Sequence, residues 1–223
     1  MTNPQIENLE KVAEVLATVS ERFVFTGGAT IVLYVDSILQ DELRPTLDVD
    51  CVVEIFSRAE YYRLADKLRE VGLEECTKDN APLCRWQYEE ILIDIMPCGE
   101  DVLGFSNSWY IESLSKTMTS VLPSGREIQI FSPLYLLASK IEAFLGRGNS
   151  FYFSKDIEDI IVLLDGCEAL MKEFDETEGK VKEFVRQWFQ ENSEELQDAV
   201  SNFLPSSSKS REEIVIELIA ALT

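Results

Sequence analysis

The sequence contains no histidine. That absence removes the Ser-His-Asp and Cys-His catalytic arrangements and any histidine-ligated zinc or iron centre. Proton transfer is left to carboxylates, lysine, tyrosine or metal-bound water. Basic residues are also scarce: 20 Lys and Arg stand against 41 Asp and Glu, a formal net charge of −21. The imbalance runs along the whole chain, with 11 basic and 23 acidic residues up to Ser132 and 9 and 18 beyond it. A surface this acidic repels nucleic acid at long range, so a simple nucleic-acid-binding module is excluded and any basic patch must be local. No apolar run approaches the roughly 18 residues of a membrane span. The opening MTNPQIENLEKVAEVL lacks the charged-then-apolar layout of a secretory signal. A cytoplasmic protein with no membrane association is expected. The cysteines (Cys51, Cys76, Cys84, Cys98, Cys167) are odd in number and form no CxxC pair. A disulfide framework or structural zinc site is therefore not expected, and Cys51 and Cys98 read as small core residues.

What is present is an ordinary globular composition, 46% hydrophobic over 223 residues, enough for one large domain or two small ones. Apolar spacing predicts an amphipathic helix from about Asn3 to Ser20, a strand over Phe23–Thr26 and a turn at Gly27-Gly28. A buried helix over Ala29–Leu39 follows, then a strand over Leu47–Ile55 and a helix capped by Ser57 and closed by Gly72. Strand-rich segments lie around Glu74–Cys76, Leu83–Tyr88 and Ile91–Met96, and Lys116–Leu122 with Glu127–Phe131 read as a hairpin. From Pro133 onward the pattern is helical, near Pro133–Leu145, Ser154–Leu164, Glu178–Phe203 and Ser210–Leu222. The expected division is a core over 1–132 and a helical domain over 133–223.

Chemistry concentrates in three places. Thr26-Gly27-Gly28-Ala29 follows a strand and opens a helix, where backbone can approach a phosphate closely. The same turn is also common as plain structure. Asp48-Val49-Asp50 lies in a strand, so the two acids share one face with Cα atoms roughly 7 Å apart, and their side chains can converge on one or two cations. A solvated strand face is the alternative. Asp94 interrupts the apolar run Ile91-Leu92-Ile93-Asp94-Ile95-Met96, where an unpaired charge is costly. It reads as a third metal ligand and proton acceptor, or as an acid on an exposed edge strand. Hard carboxylate oxygens without histidine suit Mg²⁺ acting on phosphates.

Strand, Gly-Gly, helix, Asp-x-Asp and a later strand Asp together resemble the nucleotidyltransferase superfamily associated with polymerase β. Within it, Arg44-Pro45-Thr46-Leu47-Asp48-Val49-Asp50 is similar to the R-x-T-x-D-x-D run of AbiEii/AbiGii-type nucleotidyltransferases, the toxin halves of abortive-infection and toxin–antitoxin pairs. Their downstream block has its counterpart in Lys140-Ile141-Glu142-Ala143, Arg147 and Lys155-Asp156-Ile157-Glu158-Asp159. The resemblance reaches from about Phe23 to Asp159. It implies an α+β nucleotidyltransferase fold, a mixed β-sheet flanked by helices and followed by a C-terminal helical region. It further implies that Asp48, Asp50 and Asp94 bind two Mg²⁺ ions, or Mn²⁺, and that Gly27 and Gly28 contact nucleotide phosphates. Lys140 would neutralise the triphosphate, with Arg44, Thr46, Arg147, Lys155 and Asp156 supporting the nucleotide. Gly28 departs from the serine of many superfamily members.

The bland readings of the same residues stand beside these: Lys140 extended along a helix edge, Lys155, Asp156 and Asp159 as a first-turn motif, and Phe151-Tyr152-Phe153 as packing rather than base stacking. The function expected is transfer of an NMP from an NTP to an acceptor hydroxyl. The acceptor is tRNA by resemblance, otherwise a protein or small molecule, and the partner a cognate antitoxin. The alternatives are a catalytically silent protein of this fold that binds a basic partner, and a metal-dependent phosphohydrolase.

Overall fold

The computed structural model describes residues 3–148 and 150–223. In chain order it has α1 (Pro4–Leu16), β1 (Phe23–Thr26), a 3-10 helix (Gly28–Leu33), α2 (Ser37–Gln40), β2 (Asp48–Val53), α3 (Arg58–Glu70), β3 (Glu74–Glu75), β4 (Arg85–Tyr88) and β5 (Ile91–Pro97). There follow α4 (Glu100–Leu103), α5 (Tyr110–Ser113), β6 (Thr117–Val121), β7 (Glu127–Phe131), α6 (Pro133–Arg147) and α7 (Lys155–Gly166). The chain closes with α8 (Glu168–Glu176), α9 (Lys180–Phe203) and α10 (Glu212–Ala221). Among the described residues no helix is long and apolar enough to cross a membrane.

Local chemistry accounts for many of these boundaries. The Asn3 side chain caps α1, with Pro4 in its first turn. Ser57 and Glu60 form a reciprocal capping box on α3, and Gly72, at φ +92°, closes it. The helix expected over Ala29–Leu39 is instead split. Asp36 accepts the backbone N–H of Ile38 and Leu39 and so starts a new, short helix, leaving Gly28–Leu33 as a 3-10 segment rich in β-branched residues. Leu47, expected to open the following strand, precedes β2 and is exposed.

Contacts group the chain into two compact units, Met1–Thr30 with Pro45–Phe131, and Ile31–Arg44 with Ser132–Thr223. The first holds the mixed sheet, ordered β3-β4-β5-β2-β1-β7-β6. Its central strand β2 pairs antiparallel with β1 and parallel with β5. Burial along β2 alternates at first, with Asp48 and Asp50 partly open and Val49 and Cys51 buried, and then becomes continuous through Val53. That is the pattern of a strand whose first half has one polar face.

Strands β4 and β5 form a hairpin joined by two residues, Glu89-Glu90, with Glu89 at φ +50°. The short turn fixes the register: Tyr88 faces Ile91, and Arg85 faces Asp94.

The second unit is helical. Its core includes Leu137 and Ile141 of α6, Ile157, Ile160 and Ile161 of α7, and Phe189 of α9. A methyl group on Gly166 would stand 2.6 Å from Val35 and 2.8 Å from Leu39, so glycine lets the 31–44 segment lie against the end of α7. Phe151 stacks on Trp188 with ring centroids 6.1 Å apart and meets Phe144 edge-on at 4.8 Å. It is a packing residue, whereas Phe153 is 87% exposed.

Candidate active site

The acids of the first unit converge because strand register brings them together. Asp48 and Asp50 project from the same face of β2, and Asp50 is the Cα partner of both Asp94 on β5 and Thr26 on β1. Asp94 is not on an edge strand facing water. It is 7% exposed, on a strand flanked by β2 and β4. Its charge is met by Arg85, whose Nε donates to Asp94 Oδ1 at 2.8 Å while Nη2 donates to Asp94 Oδ2 at 2.7 Å. The same Nη2 donates to Asp48 Oδ2 at 2.6 Å. One guanidinium therefore forks onto Asp94 and bridges to Asp48, the geometry in which arginine binds carboxylates best. The hydrogen bonds to Asp94 raise the Arg85 pKa still further above its ordinary value.

Gly27 precedes the 3-10 helix at φ +77°, a backbone conformation that a side chain disfavours. A Cβ there would overlap the Asp50 carboxylate. The glycine and the acid are thus packed as a unit. Thr46 lies half-buried in the irregular segment just before β2.

Three carboxylates on adjacent strands supply the hard oxygen donors that Mg²⁺ prefers. Among the described residues, no group of three or more acids or thiols is arranged as a metal cage. The donor chemistry fits such a cation, and Arg85 supplies positive charge beside two of the three acids.

The acids are also felt by nearby thiols. Burial, and then the charges of Asp94 and Asp50, push Cys84 up to about 12, and the buried Cys51 thiol is likewise raised well above its ordinary value. Burial lifts Cys98 to about 12 as well. Cys167 is also buried, leaving Cys76 alone among the five as a half-exposed thiol. Iodoacetamide at pH 8 should therefore alkylate Cys76 first in the native protein, and peptide mass spectrometry reads this directly. Equal labelling of all five would contradict this burial.

The second unit carries a separate charged network at the start of α7, where the Ser154 side chain caps the helix. Lys140 of α6 lies 2.6 Å from Asp159 and 3.7 Å from Asp156. Arg147 pairs with Asp156, and Arg44 reaches Asp159 and Glu158, each at 2.8 Å. Asp156, Asp159 and Lys140 are 1%, 4% and 8% exposed. Burial raises the Glu158 pKa against the opposing pull of Arg44. Lys155 is exposed one residue before Asp156.

The structure thus brings Arg44, Lys140, Arg147 and Asp156 into one network, and Asp48, Asp50, Asp94 and Gly27 into another cluster. Sequence reasoning missed Arg85 entirely, and it placed Glu158 and Asp159 only within the downstream block or a first-turn motif, with no partner for either. The available signal for Arg85 was the two-residue turn at Glu89-Glu90, because counting back from it places Arg85 opposite Asp94.

A family model described as nucleotidyl transferase AbiEii toxin, type IV toxin–antitoxin system, matches residues 12–219. A comparison with curated proteins found no match. Among solved structures, an antigenic nucleotidyltransferase-like protein from Paracoccidioides brasiliensis is similar at TM-score 0.53 and 18% identity, over 92% of this chain and 95% of that one. The solution structure of the antibiotic-resistance factor ANT(2'')-Ia is similar at TM-score 0.53 and 15% identity, over 89% and 97% of the two chains. Both likenesses show the fold: a nucleotidyltransferase-like mixed sheet with helices and a helical C-terminal region.

Proposed function

The chain belongs to the AbiEii nucleotidyltransferase toxin family, and on that premise we propose that it moves a nucleoside monophosphate from an NTP to an acceptor hydroxyl, releasing pyrophosphate. The observation that carries this reading is the register of β2 against β5, which sets Asp50 beside Asp94 with Asp48 on the same face. Asp48, Asp50 and Asp94 would hold two Mg²⁺ ions, or Mn²⁺ in their place. When bound, such ions supply the positive charge that stabilises the attacking oxygen and the leaving pyrophosphate. Asp94 would also take the proton of an attacking hydroxyl. Gly27 keeps the backbone close to Asp50 and leaves no side chain in the way. In the second unit Lys140, Arg147 and Arg44 offer positive charge to nucleotide phosphates, with Asp156 orienting Lys140 and Arg147. Thr46, Gly28 and Lys155 are assigned to the nucleotide on the family's motif alone.

The acceptor we favour is tRNA, from the family resemblance. Its docking on a chain of net charge −21 would depend on local basic patches and weaken steeply with salt. NTP and tRNA are cytoplasmic substrates, so this reading implies a cytoplasmic site of action. Membership of a toxin family also implies an antitoxin partner, and the acidic surface suits a basic one.

Labelled NTPs incubated with Mg²⁺, protein and cell extract test the reaction. Asp48→Ala and Asp50→Ala should each lower product at least a hundredfold, since either removes a carboxylate that would hold charge at the reacting phosphate. Equal product from these variants would overturn the site. Product destroyed by ribonuclease supports tRNA or another RNA; product destroyed by protease points to a protein acceptor. A catalytically silent protein that binds a basic partner is the second reading, favoured by the pairing of Arg85 with Asp48 and Asp94. Calorimetry without any Mg²⁺–NTP binding would select it.

A further inference from the structure

We infer that Arg85 is a tethered cation that occupies the acid site in place of divalent metal, and that it must release Asp48 and Asp94 before those carboxylates can bind one. The inference rests on reading Asp48, Asp50 and Asp94 as the metal-binding set, and adds to it a positioning residue that this set does not include.

Three observations carry it. The first is valence: a single guanidinium makes three hydrogen bonds of 2.6–2.8 Å to two of the three acids. These bonds engage both Asp94 oxygens and one of Asp48, and they hold a positive charge where a dication would have to approach. The second is location. Arg85 comes from β4, directly across from Asp94, so its place is set by the hairpin register rather than by a mobile loop. The third is room to move. Arg85 also borders a cavity of about 440 Å³ that Arg58, Tyr62, Thr77 and Leu83 help to line, so space beside it is open to the displaced side chain.

The pairing has a physical logic. Two carboxylates held on adjacent strands repel each other in the absence of a cation. Arg85 neutralises them, keeping the metal-free sheet intact. The same contacts set a threshold, because any metal has to compete with charge-assisted hydrogen bonds already made. Arginine is suited to this role: it keeps its proton at every accessible pH, so release depends on a competing ion rather than on acidity.

The test measures Mn²⁺ binding to the full chain by calorimetry and by loss of the free-ion electron paramagnetic resonance signal. It compares the wild type with Arg85→Gln, Arg85→Lys and Asp48→Asn. Arg85→Gln should bind Mn²⁺ about tenfold tighter or more, the equivalent of about one charged hydrogen bond no longer broken. Arg85→Lys, with one ammonium in place of a fork, should fall between. Asp48→Asn should bind markedly more weakly than wild type. A second readout is thermal unfolding in chelator and in Mg²⁺. Arg85→Gln should lose stability in chelator and regain more of it with Mg²⁺ than the wild type does. A residue that merely ties β4 to β2 would leave affinity unchanged or lower it. If Arg85→Gln binds no tighter while Asp48→Asn still weakens binding, the role of Arg85 is overturned and the metal site stands. If Asp48→Asn changes nothing, the metal site itself falls and this inference falls with it. Should Arg85→Gln fail to fold, Arg85→Lys decides: affinity at or below the wild-type value overturns the inference.

Discussion

Alanine at position 27 should disable the protein more severely than its one added carbon suggests. Gly27 sits at φ +77°, and a side chain in that conformation costs about 1–2 kcal/mol before any contact is considered. The contact is worse, because the new Cβ would overlap the Asp50 carboxylate. Either the β1 turn shifts or Asp50 is driven out of its rotamer, and both outcomes move an acid of the candidate site. A displacement near 1 Å at a reacting centre lowers rate about a hundredfold. Gly27→Ala should therefore show a fall in transfer of at least that size, with a loss of stability of about 3 kcal/mol or more once the overlap is added to the backbone strain. Gly28 does not share the left-handed backbone, so Gly28→Ala should be far milder. Thermal denaturation and the labelled-NTP assay on the two variants read this contrast. Equal effects at both positions would mean that the overlap with Asp50 is not what the glycine prevents.

The pair Asp48 and Asp50 is legible in sequence because strand alternation needs no partner to be known. Asp94 is legible as an anomaly, an acid inside Ile91–Met96. What cannot be read from either run is the register that joins them, since β2 and β5 are separated by α3, β3 and β4. Arg85 is harder still. Cys84-Arg85-Trp86-Gln87 looks like any half-exposed strand, and only the two-residue turn at Glu89-Glu90 puts the guanidinium across from Asp94. The helical half shows the opposite problem. Lys155-Asp156-x-x-Asp159 fits a first-turn motif as well as a binding block, and local spacing cannot separate them. Burial adds what spacing lacks: at 1% and 4% exposure Asp156 and Asp159 are held in ion pairs and are not a solvated helix start. The short helix α8 escapes because only Leu170 and Phe174 mark its buried face. The 29–39 stretch misleads because its apolar count suits a helix, while Asp36 caps a new one in the middle.

Removing Lys140 should expose which part of the second network is structural. Its ammonium is about nine-tenths buried and lies 2.6 Å from Asp159, itself almost fully buried. Taking away one partner of a buried ion pair leaves the other charge poorly compensated, a loss of about 3–5 kcal/mol in other proteins. Here Arg44 and Arg147 still face Asp159 and Asp156, so Lys140→Met should fall at the lower end, about 3 kcal/mol. For a chain of this length that is a drop in Tm of roughly 6–12 °C. The double variant Lys140→Met/Asp159→Leu removes both charges and should recover most of that loss, since an apolar pair of similar volume can replace a buried ion pair at little cost. A double-mutant cycle measures the coupling as the difference between the double and the summed single effects. Nucleotide affinity then separates the roles. If Lys140 serves only to hold α6 against α7, the double variant regains NTP binding along with its fold. If Lys140 meets the triphosphate, the double variant folds and still fails to bind NTP, because no lysine has returned with the stability.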